Sequence, residues 1–197
     1  MKITYHKKDF EPETKLQKGE ARPLVYETFD SYESFYAQVY QSLFQSLFGY
    51  GMQICGNRDL VKDCIQELFS KLWENKKILI KIKDVKPYLL KSLKRKIIRK
   101  LKQEKRLSLE NGFELEISPE LKLIRDQETI KNSQDLKLVL QSLTHRQREA
   151  IYLKFYSNLS YNEIAEILEI KTKATYKLVA RALTTLKEVI SNSFVID

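Results

Sequence analysis

At 197 residues and 23.3 kDa, with 43% hydrophobic residues and only five Gly and four Pro, the chain is too apolar and too poor in helix breakers for a disordered tail. Its formal charge of +9 and pI near 9.3 point to a polyanionic partner. Two cysteines, Cys55 and Cys64, and two isolated histidines support neither a disulfide framework nor a zinc site; no apolar run approaches a membrane span or a signal-peptide core, so a cytoplasmic protein without cofactor or membrane insertion is expected.

Residues 1–27 mix charges around Pro12, Gly19 and Pro23 without periodicity, which predicts an extended or poorly ordered N-terminal arm. Residues 28–105 read as a helical block. Phe35, Val39, Leu43, Leu47, Tyr50 and Ile54 fall on one stripe, and Leu60, Cys64, Leu68 and Leu72, flanked by Ile65 and Phe69, fall on another. Pro87 then opens a helix through Tyr88, Leu89, Leu93 and Ile97, because a proline in the first turn lacks only an amide that would have no partner there. Residues 76–106 carry fourteen Lys/Arg against two acids, a net of +12 that exceeds the charge of the whole chain. Such density is costly by self-repulsion unless an anion is nearby. Residues 106–134 are acidic, are broken by Asn111-Gly112 and Ser118-Pro119, and read as a linker.

Residues 135–197 form a second helical domain whose helix starts are written in capping residues. Thr144 with Gln147, and Ser160 with Glu163, have the S/T-x-x-E/Q spacing in which each side chain bonds an orphan amide of the first turn. Ile164, Ala165 and Leu168 make the apolar face of a short helix, and the chain must turn near Glu169 to Lys171. Thr175, Val179, Ala182, Leu186 and Ile190 then recur at steps of four and three, while Lys173, Tyr176, Lys177, Ala180, Arg181 and Thr184 lie off that stripe. Two capped helices followed by one with a basic, small-residue outer face read as a helix-turn-helix able to enter a major groove. Nothing reads as a strand, so the expected fold class is all-α with two small helical domains. No nucleophile, paired carboxylates, phosphate loop or metal cluster can be assembled, so no enzyme is expected.

The run Asp63-Cys-Ile-Gln66-Glu67-Leu-Phe69-Ser-Lys-Leu-Trp73, with Pro87-Tyr88-Leu89-Leu90 after it, resembles a signature of bacterial RNA polymerase sigma factors. Leu143 through Leu186, with the Ser160-to-Leu168 helix and Arg181-Ala182-Leu183, resembles another part of the same family. Both in this order resemble the extracytoplasmic-function (ECF) type, which keeps only the second and fourth conserved regions. The resemblance implies that residues 28–105 are a region 2 domain and residues 135–197 a region 4 helix-turn-helix. It implies that Asp63, Gln66 and Glu67, at helical steps of three and four, form the core of the contact with core RNA polymerase. It implies that Tyr88, Lys91, Lys94, Arg95, Arg99 and Lys102 grip and melt the minus-ten element of promoter DNA, with cations on phosphates. Lys171, Lys173, Tyr176, Lys177 and Arg181 would contact upstream duplex. Phe69 and Trp73 are expected to pack inside. The acidic linker, through Glu110, Glu114, Glu116 and Glu120, either threads the polymerase's RNA exit path or serves as a solvated tether. Further candidate partners are an anti-sigma factor and a separate DNA-bound recruiting protein.

Two departures from the family pattern bear on specificity. After Tyr88-Leu89 the family usually has an Arg-Asn pair and then an Asp; here Lys94-Arg95 and Arg99 stand in those places. A cation only donates where an amide donates and accepts, so base recognition weakens as phosphate attraction grows. The family's turn L-G-I-S-x-G-T-V reads Leu168-Glu-Ile-Lys171-Thr-Lys-Ala-Thr175, without either Gly or the Ser cap, which leaves Thr172 to cap. With Tyr176, Lys177 and Arg181 facing bases, modest upstream specificity is expected. Two other classes explain less. A stand-alone helix-turn-helix regulator leaves the polymerase-docking signature unused, and a helical anti-sigma or adaptor protein leaves the +12 segment unexplained.

Overall fold

The computed structural model describes residues 31–76, 78, 82–103 and 140–193. The N-terminal arm and the acidic linker expected over 106–134 lie outside these residues. All regular structure among the described residues is helical, and no helix there is long and apolar enough to cross a membrane.

Helix α1 (Tyr32–Cys55) starts where the Ser31 side chain accepts the Ser34 amide at 3.2 Å, and ends at Gly56, whose φ of 61° is the left-handed conformation that favours glycine. Asn57 follows at once and caps α2 (Arg58–Glu74), accepting the amides of Asp59 and Leu60 at 3.1 Å each. Two residues thus reverse the chain. Helix α3 (Val85–Gln103), with Pro87 in its first turn, packs across both. The core they share is Phe35, Leu47 and Tyr50 from α1, Val61 and Ile65 from α2, and Leu89, Leu90, Leu93 and Ile97 from α3, all essentially inaccessible.

The predicted stripes of α1 and α2 are the ones buried, although Leu43 and Ile54 are covered only in part. Phe69 is inside as expected. Trp73 is not: it is 43% exposed. One residue beyond Leu72 it falls at the rim of the α1–α2 seam, where Tyr36 meets it edge-on at 5.0 Å and the Lys76 ammonium lies 5.4 Å from its ring centre.

The second group begins with α4 (His145–Ile151), which widens into a π turn over Tyr152–Tyr156, and continues with α5 (Tyr161–Leu168) and α6 (Thr172–Ser193). Both capping boxes are formed: the Gln147 and Glu163 amides donate to Thr144 Oγ1 and Ser160 Oγ, and the Gln147 and Glu163 side chains accept the cap amides at 2.9 and 2.7 Å. Thr175, Val179 and Ala182 are buried, but Ile190 emerges into solvent. Thr172 does not cap α6, since it is already that helix's first residue. Thr175 occupies an apolar anchor position because its hydroxyl donates to the Lys171 carbonyl at 3.4 Å, leaving its methyl to pack. Tyr50 of α1 stacks on Tyr152 at 6.0 Å between centroids, and one buried cluster runs from Tyr32 to Val179 through both groups.

Gly51 sets how closely α1 approaches its neighbours, because a Cβ there would sit 2.6 Å from Val61 Cγ1 and 3.3 Å from Ile97 Cδ1. Alanine would gain about 1 kcal/mol of helix propensity, but Val61 is stiff at χ1 and overpacking costs about 1–3 kcal/mol. Gly51→Ala is therefore expected to lower the urea midpoint of unfolding; a raised midpoint would contradict this packing.

Candidate polymerase and nucleic-acid interface

Six of the expected site residues, Tyr88, Lys91, Lys94, Arg95, Arg99 and Lys102, lie on α3, whose faces serve different neighbours. Leu89, Leu90, Leu93 and Ile97 point into the core. Next to them Lys96, only 7% exposed, reaches Glu67 of α2 at 2.6 Å, and Lys100 reaches the other oxygen of the same carboxylate at 2.5 Å. Hydrogen bonds from Lys100 and then Lys96 hold the Glu67 carboxyl at a pKa of about 2. Asp63, Gln66 and Glu67 share one exposed face of α2, as their spacing implied, but Glu67 is already committed to α3.

Tyr88, Lys91, Arg95, Arg99 and Lys102 recur at steps of three and four and make the outer ridge of α3. Lys91, Arg99 and Lys102 form no ion pair among the described residues. Lys94 and Arg95 turn instead to the second helical group. The Lys94 ammonium lies 2.8 and 2.9 Å from the two oxygens of Glu149 on α4. Glu149 is 6% exposed and also accepts the Tyr50 hydroxyl at 2.5 Å. Burial, and then the Glu149 charge, push the Tyr50 hydroxyl pKa well up. Arg95 forks onto one oxygen of Glu169 through Nε at 2.8 Å and a terminal nitrogen at 2.6 Å. Lys86 donates to the Ser157 carbonyl at 2.6 Å, and burial lowers its pKa.

Magnitude separates these contacts. The Arg95–Glu169 pair is open to solvent on both sides and adds little to stability. Depriving buried Glu149 of Lys94 would cost roughly 3–5 kcal/mol, because a charge would remain inside without its partner.

Lys171, just before α6, and Lys173, Tyr176, Lys177 and Arg181 on it are all exposed, as expected. The Tyr176 ring is stacked on Tyr161 of α5 at 3.9 Å, and the Lys154 ammonium lies 4.7 Å from the Tyr161 centroid. Sequence reasoning missed Tyr50, Lys96, Glu149, Tyr161 and Glu169. Lys96 was findable, since it follows Leu93 by three and Leu89 by seven and so falls toward the apolar stripe. Glu149 was not, because its partners lie 55 and 99 residues away in the chain.

The lowered pKa of Glu67 has a definite sign: its pairs stabilise the fold fully above the ordinary value of 4.5 and are lost as pH falls toward about 2. Glu67→Gln is expected to flatten the fall of the melting midpoint across that window and to leave the slope near neutral pH unchanged. An acid limb as steep as the wild type's would show that these pairs do not hold α3.

The sequence matches the family model "Sigma-70 region 2" over residues 39–107 and the model "Sigma-70, region 4" over residues 133–186, together more than half of the chain. No curated protein sequence matches it. Among solved structures, the sigma factor RpoE of Bartonella quintana, crystallised with the anti-sigma factor NepR, is similar in fold: 21% identity, 79% of this chain and 96% of that one covered, TM-score 0.58. CnrH, in complex with the cytosolic domain of CnrY, shares 17% identity, with 81% of this chain and 90% of that one covered and a TM-score of 0.52. With both regions matched in order, the protein belongs to the sigma-70 family of transcription initiation factors, non-enzymatic proteins that bind core RNA polymerase and promoter DNA.

Proposed function

We propose that this sigma factor docks on core polymerase through Asp63, Gln66 and Glu67, holds the melted minus-ten strand along α3, and lays α6 against upstream duplex through Lys171, Lys173, Tyr176, Lys177 and Arg181. In this reading residues 28–105 act as region 2, 106–134 as the tether and 135–197 as region 4. The observation that carries it is the outer ridge of α3. Tyr88 stands at its start with a partly exposed ring that a base can stack on, and Lys91, Arg95, Arg99 and Lys102 follow along the ridge as cations for a single strand's phosphates, with Lys94 on the flank beside them where it pairs with Glu149. One of the structures similar in fold is a sigma factor seen with an anti-sigma factor, and a partner of that class is proposed here too.

Two variants of the holoenzyme test docking and melting separately. Asp63→Lys with Gln66→Ala leaves the Glu67 pairs intact and is expected to abolish co-elution with core polymerase at unchanged helical content. Replacing Lys91, Arg99 and Lys102 by Gln should retain co-elution, slow open-complex formation, and lower its salt slope by about two units, at roughly 0.7 per lost single-strand contact. Unimpaired docking by the first variant, or an unchanged slope in the second, would remove the corresponding assignment.

Upstream recognition is the weaker arm. Its outward groups supply at most one or two bidentate base contacts, each worth about 1–3 kcal/mol of discrimination. A separate DNA-bound recruiter is therefore proposed. Transcription from a randomised upstream element, with only core polymerase and this protein, is expected to yield a lax consensus; a sharp preference over several bases would refute the need for a helper.

A further inference from the structure

One aromatic contact in the second domain spans the angle between α5 and α6. Tyr161 is the first residue of α5, fixed there by the Ser160 capping box, and Tyr176 stands in the second turn of α6. Their rings stack with centroids 3.9 Å apart and planes 26° from parallel. Tyr161 is half-buried against the core. The ammonium of Lys154, which also donates to the Leu159 carbonyl at 3.2 Å, lies over the Tyr161 ring 4.7 Å from its centre. Tyr161 is thus held by its own helix start and by the π turn before it, and it in turn holds Tyr176.

The stack decides what Tyr176 can offer. Its ring stays 54% exposed, so Tyr161 covers one face and leaves the other open. A helical tyrosine leans over the turn before its own, here toward Lys173, while Ala180, one turn after, is exposed and adds no bulk. Laid in a major groove, α6 therefore presents a fixed apolar plane with cations beside it. A phenolic hydroxyl cannot form a bidentate pair with a base edge. The apolar group that base edges offer in that groove is the thymine 5-methyl, which the other three bases lack. A ring ordered before binding also spares the rotamer freedom that a mobile tyrosine would lose on contact.

We propose that Tyr176 is a specificity-determining residue that reads a thymine methyl in the upstream element, and that Tyr161, braced by Lys154, is the positioning residue that aims it. This rests on the upstream-duplex role proposed for α6. Lys177 and Arg181 serve guanine edges or phosphates, whereas the Tyr176 ring serves a methyl, so the two kinds of contact are separable. A single methyl contact favours thymine at one position and leaves the neighbouring positions free, which fits an arm of modest specificity.

The test uses the full chain in holoenzyme and the upstream element best bound from a randomised pool. Each thymine of that element is replaced in turn by deoxyuridine, which lacks only the 5-methyl group. With the wild type, replacement at one position is expected to weaken binding about fourfold, the worth of one buried methyl. Tyr176→Ala should abolish that dependence and Tyr176→Phe should keep it, because the ring and not the hydroxyl makes the contact. Tyr161→Ala should remove most of it, and Tyr161→Phe should restore it, a rescue specific to the ring. Lys154→Met leaves both rings in place and should lower the dependence as well.

A wild type indifferent to deoxyuridine, or a dependence that survives Tyr176→Ala, would overturn the methyl readout. Its loss in Tyr176→Phe would assign the hydroxyl to a phosphate instead and overturn the readout too. Undiminished dependence in both Tyr161→Ala and Lys154→Met would overturn the positioning role. Lys177→Gln with Arg181→Gln tests the underlying placement of α6 separately: upstream binding should fall several-fold, and no fall would sink that placement. A fall there with no deoxyuridine effect would sink the methyl readout alone.

Discussion

Helix α3 carries eight cations and no acid in nineteen residues, and yet one face of it must lie in the core. Charge of that density repels itself, and a buried ammonium without a partner is far more costly than an exposed one. Carboxylates from three other elements meet the constraint. Glu67 of α2 takes Lys96 and Lys100, Glu149 of α4 takes Lys94, and Glu169, at the end of α5, takes Arg95. The anion that the basic segment calls for is thus supplied in part from within. Lys91, Arg99 and Lys102 are left on the outer ridge, paired with no acid among the described residues.

This division ties docking, DNA binding and the packing of the second domain to one helix. Glu67 belongs to the face proposed to meet polymerase and is also the anchor of α3, so a polymerase arginine approaching it competes with Lys96 and Lys100. Asp63 and Gln66 carry no such obligation, which makes them the cleaner docking groups. On the opposite side, the second domain is held less by its exposed pair than by Glu149, since only there must a buried charge be hydrated on separation. Charge reversal at Glu67, a natural choice from sequence alone, would set a third cation beside two lysines and confuse docking with folding.

The helices and their limits were legible because their causes are local. Apolar stripes at steps of three and four, the Thr144 and Ser160 boxes, and Pro87 in a first turn each depend on residues within a turn or two. Trp73 was misplaced because aromatic bulk argues for burial only where a neighbour covers the ring, and at the rim of the α1–α2 seam Tyr36 covers one edge. The π turn at Tyr152–Tyr156 leaves no periodic trace over five residues. Glu149 and Glu169 read as ordinary helix and turn acids, because a charge in the interior is explained only by partners brought in from far along the chain. That Asp63, Gln66 and Glu67 share an exposed face and that α3 has a basic outer ridge could be read from spacing; that Lys94 and Arg95 face the second domain could not, since helical periodicity orders residues around one helix and says nothing of what packs against it.

Residue-resolved lysine acetylation, followed by mass spectrometry on the free chain and on its complex with core polymerase and promoter DNA, tests the partition of α3 most directly. In the free chain Lys94 and Lys96 should react slowly, and Lys91 and Lys102 quickly. In the promoter complex Lys91 and Lys102 should become protected, and Lys96 should change little. Lys94 as reactive as Lys91 in the free chain, or Lys91 and Lys102 left unprotected in the complex, would contradict an account in which the acids of the fold hold one set of these cations and DNA takes the other.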